Sequence, residues 1–256
     1  GYAVGATGVA WAVIGTDPSG TRRTTLGMVV SGTVIALAWL LWCIARERRM
    51  VATTNLRLCF PDMPADERSR LVRATFGHFC QSVIDRAILW HSPAARIRTL
   101  VRLEGEEHLA ALAGKPVILL APHFVGLDMG GIRIGAEYRV VSVYSKQKNP
   151  AFDAVLYHGR TRFVMPDLYS RQDGIRPVAK AIKSGLPFYY LPDMDFGERD
   201  SIFVPFFGVP AATISGLARI AALTGAVVVP AVTTQLPGGE GYVLRFHPAW
   251  DNFPSG

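Results

Sequence analysis

From Lys115 onward the chain alternates short apolar runs with segments of helical spacing, and this alternation restricts the fold more than any other feature. Val117–Ala121, Arg139–Tyr144, Leu186–Leu191, Ala226–Thr234 and Gly241–Phe246 are rich in β-branched and aromatic residues, as strands are. Several are near-continuous apolar runs, which marks strands buried on both faces. Leu127–Glu137, Ala151–Phe163, Gly174–Ser184 and Ala212–Thr224 read as helices between them. The alternation predicts an α/β fold, a mostly parallel mixed sheet flanked by helices. Sheets of this kind place their sites beyond the carboxyl ends of the strands.

The first part of the chain is different. Leu26 to Ala45 gives 20 residues without a charge, Trp39 and Trp42 among them. At about 1.5 Å per residue this reaches roughly 30 Å, the thickness of a bilayer's hydrocarbon core. Arg46, Arg48 and Arg49 follow at once and assign the C-terminal side to the cytoplasm, although Arg22 and Arg23 stand on the other flank. The expectation is an N-terminal membrane helix within an anchoring segment over 1–50, followed by a catalytic domain over 51–256. Pro64-Ala65-Asp66-Glu67 starts a helix with carboxylates in its first turn, and apolar residues recur at helical spacing up to Trp90. The chain begins without Met and stops at Pro254-Ser255-Gly256 soon after a strand, so a C-terminal helix is expected beyond it.

Charge and composition bound the partners. A net charge of +7 favours anionic ones. A mean hydropathy of +0.24 points to membrane contact. The chain lacks the basic runs interleaved with aromatic residues that single-strand binders use, so nucleic acid is not expected. Cys43, Cys59 and Cys80 are odd in number and have no metal-ligand spacing, which argues against disulfides and zinc.

Four polar clusters fall at or just beyond predicted strand ends. The first is His123 with Asp128, on the turn between a buried strand and a helix. A His so placed beside a carboxylate suits general-base chemistry. Equally, His123 is a structural His and Asp128 caps the helix that follows. The second is Tyr144-Ser145-Lys146-Gln147-Lys148-Asn149-Pro150, where Lys146 and Asn149 are candidates for binding substrate and the lysines are otherwise solvated loop charges. The third is Gly159-Arg160-Thr161-Arg162, catalytic or surface cations. The fourth is Asp193-Met194-Asp195-Phe196-Gly197-Glu198-Arg199-Asp200. There Asp193 is a catalytic candidate and Asp195 and Arg199 are substrate-binding candidates. The two Asp residues are otherwise turn formers or oxygen ligands for a divalent cation, although no third ligand is evident and no metal is expected. Neither a Gly-x-Ser-x-Gly elbow nor a P-loop occurs.

Several phrases resemble those of the late (lauroyl/myristoyl-type) acyltransferases of lipid A biosynthesis. They are Asn55-Leu56-Arg57-Leu58-Cys59-Phe60-Pro61, His123-x4-Asp128, Lys148-Asn149-Pro150 with Gly159-Arg160, Asp193-Met194-Asp195-Phe196-Gly197, Phe203-Val204-Pro205-Phe206-Phe207-Gly208 and Ala211-Ala212-Thr213. The resemblance runs from about residue 26 to the end in the same order and spacing. A lone His-x4-Asp is shared with glycerolipid acyltransferases, whereas the ordered set is specific. It implies a membrane-anchored enzyme on the cytoplasmic face of a Gram-negative inner membrane. Such an enzyme moves a fatty acyl chain from acyl carrier protein to a hydroxyl of an anionic, Kdo-bearing lipid A precursor, among inner-membrane lipids and without a cofactor. The family's essential positions carry over as His123, Asp128, Arg160 and Asp193. Many relatives have Glu where Asp128 stands, and many have Tyr-Arg-Pro where this chain has Tyr144-Ser145-Lys146, which leaves open whether Lys146 substitutes for that Arg. In the mechanism so implied, His123 is the base and Asp128 orients it. The backbone N–H groups near Gly130-Gly131, or Arg160, are the candidate donors to the oxyanion. An acyltransferase for another lipid, such as glycerol phosphate, a mannosyl phosphoinositide or an amino-acid lipid, and a non-catalytic lipid-binding relative are the competing readings.

Overall fold

The computed structural model describes residues 36, 39–163, 167–194, 201–237 and 240–254. The chain divides into two compact units, one of 1–88, 202–213 and 235–241, the other of 89–201, 214–234 and 242–256.

The second unit is built on a seven-stranded sheet of order β1-β9-β8-β2-β5-β3-β4. Its strands are β1 (Val101–Glu104), β2 (Val117–Leu120), β3 (Val141–Tyr144), β4 (Asp167–Ser170), β5 (Phe188–Tyr190), β8 (Val227–Gln235) and β9 (Tyr242–Phe246). The pairs β1–β9, β2–β5, β2–β8, β3–β4 and β3–β5 all run parallel. Helices α3 (Ala94–Leu100), α4 (Glu106–Ala110), α5 (Leu127–Gly135), α6 (Pro150–Thr161), α7 (Arg176–Lys183) and α8 (Gly216–Thr224) connect and cover these strands.

Strand β2 shows why the pattern demands this arrangement. Val117 and Leu119 join one core cluster with Met129, Ile132 and Ile134 of α5. Ile118 joins a second cluster with Val178 and Ile182 of α7 and Ile220 of α8. A strand whose two faces are both buried has no polar alternation to show, hence the apolar run in the sequence.

The first unit contains α1 (Arg46–Cys59), most of α2 (Ala65–His91), and a two-stranded hairpin of β6 (Ser201–Phe206) and β7 (Val209–Ile214). Residues 39–44 are also helical. Trp42 stacks edge-on against Phe76 at 5.4 Å, with the guanidinium of Arg49 over its ring at 4.9 Å.

The sheet flanked by helices agrees with the expectation, but the N-terminal membrane helix does not. Among the described residues no helix is long and apolar enough to cross a membrane. The helical stretch at 39–44 gives way at Ala45 to α1, whose arginines end the apolar run, and residues 26–35, 37 and 38 lie outside the described part. Two smaller corrections concern strands. The helix expected from Ala212 starts only at Gly216, because 209–214 form β7, and β1 and β4 were not expected at all. Both of the latter are four residues long and carry charged or hydroxyl side chains that hide the apolar signal.

Candidate active site

The β2–β5 register brings the first candidate pair together. Leu120 pairs with Tyr190, and the Ala121 N–H extends the ladder to the Tyr190 carbonyl at 2.8 Å. His123 and Asp193 each lie three residues beyond that last pair, at the carboxyl ends of adjacent parallel strands. Such strands run about 4.8 Å apart, so side chains leaving them at the same step meet. One Asp193 oxygen accepts from the His123 backbone N–H at 2.6 Å, and the other lies 2.6 Å from His123 Nδ1. The carboxylate thus fixes both the main chain and the ring. With the proton on Nδ1 and donated to Asp193, the lone pair of a neutral imidazole lies on Nε2. The two side chains retain 37% and 40% of their exposure, so the pair is open to the outside.

A tight turn carries the chain from His123 into α5. The Phe124 N–H bonds the Pro122 carbonyl at 2.7 Å and the Leu127 N–H bonds the Phe124 carbonyl at 3.0 Å. Phe124 and Val125 are left exposed on this turn, as is Met194 after Asp193, so the polar pair has an apolar surround.

Asp128 lies in the first turn of α5 and accepts from Arg160 Nη2 of α6 at 3.0 Å. It is the more buried partner, at 19% against 33% for Arg160. Gly159 makes the position of Arg160 possible, since a Cβ there would stand 2.4 Å from the indole Nε1 of Trp90. Beneath the start of α5 lies Tyr189, whose hydroxyl donates to the Leu127 carbonyl at 3.2 Å. Burial, and then the nearby Asp128 charge, push its phenol well above the usual range.

The candidates from sequence divide accordingly. The structure pairs His123 with Asp193 and Asp128 with Arg160, so the carboxylate that lies against the ring nitrogen is Asp193 where Asp128 was expected. Asn149 is the N-cap of α6, its side-chain oxygen accepting from the Ala151 and Phe152 N–H groups at 3.0 and 3.2 Å, with Pro150 at N1. Lys146 is exposed on the loop after β3. Asp195 and Arg199 lie outside the described residues. The Gly130 N–H, a candidate oxyanion donor, is already bonded to the Gly126 carbonyl at 3.1 Å within α5. Gly130 and Gly131 instead serve packing: a Cβ on Gly130 would fall 2.0 Å from Thr233 Oγ1, and one on Gly131 would be 3.3 Å from the Tyr189 ring. Sequence reasoning named Asp193 but gave the orienting role to Asp128. The signal that finds it is the equal step of the two residues past the strand ends.

The family model described as bacterial lipid A biosynthesis acyltransferase matches residues 27–255. The chain belongs to this family. It is 32% identical over 206 residues to the lipid A biosynthesis lauroyltransferase of Escherichia coli (strain K12), covering 79% of this chain and 67% of the relative. It is 32% identical over 208 residues to a lipid A biosynthesis acyltransferase of Haemophilus influenzae, covering 80% and 65%. To the lipid A biosynthesis palmitoleoyltransferase of Escherichia coli (strain K12) it is 27% identical over 213 residues, covering 82% and 69%. The chain therefore spans about two thirds of the length of these family members.

Proposed function

We propose that this protein transfers a fatty acyl chain from acyl carrier protein to a hydroxyl on a hydroxyacyl chain of a Kdo-bearing lipid A precursor, at the cytoplasmic face of the bacterial inner membrane. The observation that carries this reading is the His123–Asp193 pair, in a chain of the acyltransferase family. His123 Nε2 takes the proton of the acceptor hydroxyl as its oxygen attacks the thioester carbonyl. The tetrahedral oxyanion collapses, the C–S bond breaks, and the proton on Nε2 passes to the departing sulfur, which leaves as the thiol and restores the neutral imidazole. Asp193 keeps Nδ1–H in place throughout and stabilises the imidazolium between the two transfers. Proton transfer of this kind typically contributes about 10²–10⁴-fold in rate.

No acyl-enzyme is required, because a thioester is already activated. Arg160, with more N–H donors than Asp128 consumes, is the cation available to a developing negative charge. Phe124, Val125 and Met194 offer an apolar wall to the acyl chain beside the polar pair. Lys146 suits the phosphates and sugar carboxylates of the acceptor, and Asp195 and Arg199 are proposed for the same bound substrate.

The test is His123→Ala, assayed in detergent with acylated acyl carrier protein and a Kdo-bearing precursor. Acyl transfer is expected to vanish while the thermal unfolding of the variant matches that of the parent. Retained turnover would overturn the reading.

A further inference from the structure

The β6–β7 hairpin has a composition that water does not favour. Residues 202–213 contain no charge, and neither β6 nor β7 has a buried residue. Ile202, Phe203, Phe206 and Phe207 are exposed by 54–61%, and they fall on both faces of the ribbon. A lone two-stranded ribbon is marginal in water, and native edge strands usually protect themselves with charge.

The turn sharpens the point. Phe207 and Gly208 connect the strands with φ of 51° and 76°. Two-residue turns of this kind ordinarily take Asn-Gly or Asp-Gly, because a bulky side chain avoids positive φ. Here an aromatic residue occupies the strained position and remains 54% exposed, so nothing gained from burial in the unit explains it. Phe207 stands edge-on to Phe206 at 4.8 Å and to Phe60 at 5.0 Å, which makes an aromatic cluster of the tip. Phe60 is the C-cap of α1, a helix with no buried residue that carries Arg46, Arg48, Arg49 and Arg57 against Glu47 alone. Met50, Val51 and Leu58 of the same helix are exposed.

We propose that the hairpin tip, together with Phe60, is an aromatic wedge that seats in the interfacial layer of an anionic bilayer, with the α1 arginines on the headgroups. Phe and other apolar side chains beside arginines are the composition of elements that lie in that layer. An acidic protein partner fits poorly, since the tip has no cation to meet it. The inference rests on the proposed function only for the presence of a lipid surface.

The experiment replaces Phe203, Phe206 or Phe207, one at a time in the full chain, with the photoreactive p-benzoylphenylalanine, a substitution that keeps an aromatic ring. Each variant is reconstituted with phosphatidylethanolamine–phosphatidylglycerol vesicles, irradiated, and analysed by mass spectrometry. Lipid adducts are expected at all three positions, at least about five-fold above those from the same group at exposed Leu223 of α8. Equal yields at Leu223, no adducts, or adducts to a second copy or to the N-terminal segment would each overturn the proposal. Adducts are read without turnover, so an inactive enzyme that still labels lipid separates this inference from the acyl-transfer reading.

Discussion

His123 has an orienting carboxylate, and the identity of that residue is testable by substitution. Asp193→Asn keeps the shape but offers an amide where Nδ1–H and the backbone N–H need acceptors. It is expected to lower kcat by about 10²–10⁴-fold, the scale of a lost general base, with little change in KM. Asp128→Asn leaves the ring's bond to Asp193 intact and loosens Arg160 instead, so its effect is expected to include KM for the charged acceptor. Steady-state kinetics on the two variants separate these roles. A larger kcat loss at Asp128 than at Asp193 would return the orienting role to Asp128. The His123-x4-Asp128 phrase was visible in the sequence, but spacing along a chain cannot choose between two carboxylates when one of them sits on a neighbouring strand.

At the scale of elements, α5 is held by close packing at one end and by an ion-pair network at the other. Gly130→Ala places a Cβ against the hydroxyl of buried Thr233, and overpacking of this kind costs about 1–3 kcal/mol. Thr233→Ala removes the clashing atom, so the double variant is expected to recover part of the loss in a thermal melt. An additive double variant would show that the contact is not the cause. Just past the helix, Glu137 accepts from Arg98 Nε at 2.6 Å and from the buried Arg133 Nη1 at 2.7 Å. The hydrogen bond from Arg98, more than any other contact, holds its carboxyl below the usual range. Its stabilisation is therefore complete above the unfolded value of about 4.3 and is lost as pH falls through the lower folded value. Glu137→Gln is expected to destabilise by about 1–2 kcal/mol near neutrality. The gap to the parent should close in acid, and a gap independent of pH would contradict the assignment.

The elements that were legible in the sequence were those whose burial made a run: β2, β3, β5, β8 and β9, and the helices between them. The β6–β7 hairpin gave no such signal. Its apolar residues alternate neither at period two nor at the helical period, because both of its faces are exposed. Asn149 was visible as a polar residue after a strand, but only the backbone N–H groups it caps reveal its structural use.

For the molecule as a whole, the positive balance has a kinetic meaning. Under the proposed function, a net charge of +7 on 256 residues would attract the acidic carrier protein and the phosphorylated acceptor over distances that salt screens, with a Debye length of about 10 Å at 0.1 M. kcat/KM is expected to fall several-fold as ionic strength rises from low to high, with kcat much less affected. A flat profile would remove electrostatic steering from the account.

His123 and Asp193 lie 70 residues apart and meet only because β5 inserts beside β2. Between them in the chain come α5, β3, α6, β4 and α7, all of which must be made before β5 exists. A chain still emerging from the ribosome can thus display His123 long before it can display a paired base, and pairing waits on a contact of long sequence separation, the slow kind in folding. Formation of the pair then marks the closing of the sheet, so under the proposed function a half-made chain has no oriented base and is inert.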